Sequence, residues 1–116
     1  MRCDINSFSL IANEVRVRFR LRPISVKETI GDPSCDLDRN IVRISEWATS
    51  EEQLAALTHE LAHLVCWRWA RHDGHRGPFY RWLKKMAVFI WGSPRAYPWH
   101  LDYVRLEQKW KAETRA

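Results

Sequence analysis

The sequence predicts an α+β domain, and three observations carry that prediction. Residues 14 to 22, EVRVRFRLR, alternate apolar and basic residues as a half-buried strand does. A second short run, Ile41-Val42-Arg43-Ile44-Ser45, is rich in β-branched residues and follows a turn-rich stretch. From Ser50 onward the apolar spacing becomes that of helices. Strands followed by helices is the order of an α+β fold.

The chain has 116 residues, near the common size of one domain, so residues 1–116 read as a single unit. Its hydrophobic content, 46%, suffices for a core and excludes a wholly disordered chain. No repeat or low-complexity tract interrupts it. No apolar run approaches the roughly eighteen residues of a membrane span, and the start, MRCDINSFSLIANEV, carries no signal-peptide pattern. A cytoplasmic, non-secreted protein is expected. Cys3, Cys35 and Cys66 form no Cys-x-x-Cys pair, which argues for reduced thiols and against a disulfide framework or a zinc ribbon. Net charge is +5, a hint of nucleic-acid contact and no more.

Taken in order, the first strand places Val15, Val17, Phe19 and Leu21 on one face and Arg16, Arg18, Arg20 and Arg22 on the other, and Pro23 ends it. A further strand fits residues 24–30. The segment GDPSCDLDRN reads as turns. A helix starts near Ser50, where Thr49 with Glu52, or Ser50 with Gln53, can form a capping box, and it runs to about Arg71. Pro78 suits the first turn of the next helix, FYRWLKKMAVFIW, and Gly92 closes it. A last helix is expected over residues 99–112, with Leu101, Val104 and Leu106 as its apolar positions.

The chemistry sits in LTHELAHLVCWRWARHDGHRGPF, residues 57 to 79. On a helix, Leu54, Leu57, Leu61 and Val65 form one stripe, while His59 and His63 stack four residues apart on roughly the opposite face. That second face is lined by Ala55, Ala56, Ala62, Cys66 and Ala70. Two imidazoles in an apolar setting need a partner, and one metal ion satisfies both. His-Glu-x-x-His is the zinc-hydrolase spacing: the histidines bind the metal, and the Glu between them, Glu60, is the general base for a water molecule. A chance match would usually fall on a solvated helix face. This one falls on an apolar face, with more histidines downstream.

Two known ways to complete such a site fail here. A third histidine six residues after His63 would stand where Trp69 is, and a later helical Glu has only the remote Glu107. His72, Asp73 and His75 remain, in the loop that Gly74 lets turn. The combination HELAH…DGH-x-x-x-F resembles the SprT-like metallopeptidases, the group that includes the Spartan proteases. The likeness covers roughly residues 14 to 91.

That resemblance implies a small zincin-like α+β domain, with a short mixed or antiparallel sheet packed on the His-Glu-x-x-His helix plus two further helices. It implies Zn²⁺ held by His59, His63 and His75, with Phe79 keeping the motif's spacing. It also implies a metallopeptidase with a protein or peptide substrate, and DNA-associated proteins are candidates. Arg76 stands where the family has glycine, the family's long N-terminal helix reads as reduced, and no zinc-ribbon cysteines follow.

An extended substrate would pair with a sheet edge, for which Ile41–Ser45 is the choice. Tyr97, His100 and Tyr103 are the candidate oxyanion donors. Asp73 and His72 are candidates for orienting a ligand ring. The competing class is a nucleic-acid-binding or regulatory module with non-catalytic zinc, drawing on the Arg row as a phosphate track and on the seven tryptophans as stacking platforms. A solvated strand face and core packing account for both features more simply. No membrane partner is expected, and no feature fixes an oligomeric state.

Overall fold

A computed structural model describes residues 5–101. In chain order these form α1 (Ile5–Phe19), β1 (Ser25–Thr29), β2 (Ser34–Asp36), β3 (Ile41–Ser45), α2 (Ser50–Ala70) and α3 (Gly77–Trp91), then 3-10 turns at Pro94–Ala96 and Trp99–Leu101. The described residues form an α+β domain with three helices and one small mixed sheet, the class that the sequence predicts, but the chain opens on a helix rather than on strands. Among the described residues no helix is long and apolar enough to cross a membrane.

The alternating run at 14–22 is not a strand. Residues 14–19 are the C-terminal part of α1, an N-terminal helix of 15 residues. Phe8, Ala12 and Val15 are its buried residues, a stripe at helical spacing. Val15 and Phe19 fit both a period of two and a period near four. Val17, buried in the strand reading, is 63% exposed. Arg20 then turns the chain at φ 57°, and the Leu21 amide donates to the Arg16 carbonyl at 2.9 Å, a left-handed helix stop. The four arginines therefore do not share a strand face.

The sheet order is β1-β3-β2, with β1 parallel and β2 antiparallel to β3. β1 falls inside the expected 24–30, and β3 matches its expected bounds. Strand β3 is central, not an edge, so an added strand cannot pair with Ile41–Ser45, as was expected; both of its sides are already bonded. The turn-rich segment holds the unexpected β2. Asp36 accepts the amides of Asp38 and Arg39 at 3.0 Å, and Asn40 takes φ 51°, which returns the chain directly into β3.

Helix α2 is the axis of the domain. Thr49 and Glu52 form the expected capping box, at 3.2 and 3.1 Å. Arg71 caps the far end in the left-handed region, with its amide on the Trp67 carbonyl. Between these caps α2 packs against α3, β3 and β2 and is buried nearly all round. The Gln53 amide ties its first turn to the Ser45 carbonyl at 2.9 Å. Trp91 Nε1 donates to Thr58 Oγ1 at 2.9 Å and locks α3 to its middle. Gly92, at φ 88°, ends α3 as expected. Residues 99–101 make one 3-10 turn, and the rest of the helix expected to 112, with Glu107, lies outside the described residues.

Candidate metal centre

His59 and His63 lie one turn apart on α2 and are 0% and 6% exposed. After Ala70 the chain reverses at Arg71, and His75 returns over the same face just before Pro78 restarts a helix. The three Nε2 atoms converge: 3.2 Å from His59 to His75, 3.2 Å from His63 to His59, and 2.8 Å from His63 to His75. Phe79, itself fully buried, lies against all three rings, stacked on His63 at 4.3 Å and at 4.8 and 5.0 Å from His59 and His75. The four-residue spacing from His75 to Phe79 thus builds the wall that fixes the imidazoles.

This arrangement fits a metal ion. A ring nitrogen offers either one proton or one lone pair, in the ring plane. No distribution of protons lets three such nitrogens, all aimed at one point, satisfy one another within the triangle. A cation at their centre satisfies all three. Tetrahedral zinc with nitrogens at 2.0–2.1 Å would separate them by about 3.3 Å, close to two of the observed distances. Among the described residues these three histidines form the group able to hold a metal, and neither a thiol nor a carboxylate joins it. The third position is filled by His75, not by His72 or Asp73.

Glu60 is 1% exposed and opens into the cleft that His63 and His75 line. Asp73 lines the same cleft from the loop, and Pro33, Ser34 and Cys35 line it from the sheet side. The Cys35 thiol is hydrogen-bonded to the Glu60 carboxylate. Burial first, and then the Glu60 charge, push that thiol well above its ordinary range. Cys35 therefore stays protonated and serves as a donor that orients Glu60. Sequence reasoning missed this contact, because it depends on β2, which the turn-rich composition hides. The Cys66 thiol is likewise pushed up by burial and acts as a small core residue.

The remaining candidates fall elsewhere. Tyr97 is buried and its hydroxyl donates to the Ala55 carbonyl at 3.3 Å, one turn before His59. The His100 side chain and Tyr103 lie outside the described residues. His72 keeps Nε2 buried with no partner among the described residues, close over Gly74, where an added Cβ would meet it at 3.4 Å.

Comparison of the chain with family models, with curated proteins and with solved structures finds no match.

Proposed function

We propose that this chain is a zinc-dependent peptidase of the SprT-like, zincin kind. The observation that carries the reading is a buried carboxylate, Glu60, in the cleft of a three-histidine cluster that has no fourth protein ligand among the described residues. Structural zinc sites are closed by four protein ligands, whereas catalytic ones keep a position open. His59, His63 and His75 would hold a zinc ion, which would supply Lewis acidity for activating water. Glu60 takes a proton from the attacking water and returns it to the leaving amine, while Cys35 holds the carboxylate in place.

Strand β2 is an edge of the sheet and borders this cleft. An extended peptide can add to that edge and lie across the histidines. The alternative, a nucleic-acid module with structural zinc, loses its arginine strand face and lacks a fourth ligand among the described residues.

The test is Glu60→Gln. The variant is expected to fold and to keep one zinc per chain, while losing about 10²–10⁴ in rate against an unfolded casein-like protein or a DNA-bound basic protein. Full activity in Glu60→Gln would overturn the mechanism. A parent that cleaves neither substrate, with or without DNA, would overturn the peptidase reading and leave the metal site standing.

A further inference from the structure

A second cleft adjoins the metal centre. It has a volume of about 130 Å³, and His59 forms part of its wall. Pro33 borders both this cleft and the one holding Glu60, so the two are neighbours. Its size is close to the roughly 150 Å³ that accommodates a single benzene ring. That is room for one side chain.

The lining specifies which side chain. Ala55, Ala56, Pro33 and Leu101 give it apolar walls, and the indole of Trp47, 65% exposed, belongs to it as well. Among the described residues, the charged groups on its lining are the carboxylates of Asp32 and Glu52, with no Lys or Arg beside them. In a chain of net charge +5 that local balance is reversed. Gln53 is part of the same wall and is 1% exposed. Its Nε2 is committed to the Ser45 carbonyl, and that bond fixes which end of the amide is oxygen. Its Oε1 is buried with no partner among the described residues. A buried amide oxygen left unpaired carries a desolvation cost that a donor on a ligand removes.

Apolar walls, two carboxylates and an unused acceptor describe the counterpart of a Lys or Arg side chain, which has an apolar stem and a donor-only cationic tip. The Trp47 ring adds a face on which a cation can rest. We propose that this cleft is a specificity subsite for a basic residue of the substrate, beside the bond to be cut. The proposal rests on the peptidase reading for its place in the reaction, but the recognition itself is a binding property and is testable without turnover.

The experiment uses the full chain carrying Glu60→Gln and calorimetric titration with three blocked pentapeptides, identical except for Lys, norleucine or Glu at the centre. Norleucine keeps the apolar stem and lacks the charge. The Lys peptide is expected to bind roughly tenfold more tightly than the norleucine peptide, the scale of one or two partly shielded ion pairs. Adding Asp32→Asn with Glu52→Gln should bring Lys down to the norleucine level and leave norleucine unchanged. Gln at position 52 still supports the capping box, so loss of the helix start does not confound the result.

Equal binding of Lys and norleucine, no binding of any peptide, or a Lys preference that survives the double substitution would each overturn the subsite. The peptidase reading is judged separately, on the parent. Cleavage of the Lys and norleucine peptides at equal rates removes the subsite and keeps the enzyme. Selective Lys binding with no cleavage by the parent does the reverse.

Discussion

Helices α1 and α2 both carry apolar residues at helical spacing, yet they sit in opposite environments. Twelve residues of α2 are buried, and both of its ends are capped. Three residues of α1 are buried, while Leu10 and Val17 stand 66% and 63% exposed. An enclosed helix can hold ionisable groups in one geometry, because packing on every side fixes their rotamers. A helix exposed on most of its surface cannot, and its pattern is also the harder one to read. The fold places its chemistry on the enclosed element.

The sharpest way to break this contrast is to remove a ligand from α2. His63→Ala is expected to weaken metal binding by about two orders of magnitude or more, beyond the ten- to hundredfold cost of altering residues that merely orient ligands. Metal analysis and thermal melts with and without chelator check it: the parent should lose stability on metal removal, and the variant should not respond. Next is Phe79→Ala, which opens a cavity under all three rings and should cost about 3–5 kcal/mol in denaturant unfolding. A cost under 1 kcal/mol would mean that the imidazoles are not held by packing.

Cys35→Ala sharpens the same point at the carboxylate. It should lower hydrolysis roughly tenfold, the scale of one lost hydrogen bond to a charged group, with the fold and the metal retained. The thiol also has a pH dependence with a definite sign. The folded state keeps a proton that the unfolded chain releases above the ordinary value of 9.0. The contribution is therefore whole below that pH and is lost as pH rises above it. Unfolding measured from pH 8 to 10.5 should show a steeper alkaline decline for the parent than for Cys35→Ala.

Smaller effects belong to the helix ends and the exposed surface. Thr49→Ala removes the side-chain acceptor of the capping box and should cost about 1 kcal/mol. Val17→Ala, on the open side of α1, should stay within about 0.5 kcal/mol. A loss above 2 kcal/mol there would show that α1 is enclosed after all.

Most of α2 and α3 was legible in the sequence, because caps are local chemistry. Thr49 with Glu52, Pro78 and Gly92 each act within a few residues of their own position, as do the paired histidines one turn apart. Misreading α1 had an equally definite cause: Val15 and Phe19 suit either period, and the alternating arginines added weight to the wrong one. Strand β2 was hidden because three residues in a turn-rich stretch are held by pairing with β3, not by propensity. Cys35 on Glu60, and Gln53 in the wall beside His59, join residues brought together only by the sheet meeting α2. No local pattern encodes such contacts. His75 was legible because the loop is short and the Phe79 spacing survives.

The brevity of that loop has a mechanical meaning. From His63, α2 climbs seven further residues to Ala70, about 10.5 Å along its axis. The chain must come back the same distance to set His75 beside His63, and the five steps from Ala70 to His75 reach at most about 17 Å when fully extended. After the reversal at Arg71, little slack is left. His75 is thus held on a short tether, already near its two partners before any ion arrives, and the entropy of gathering three ligands is largely spent during folding. Removing Asp73 and Gly74 would shorten the reach to about 10–11 Å, no more than the return path, and the third imidazole would then meet the other two only with the loop fully extended.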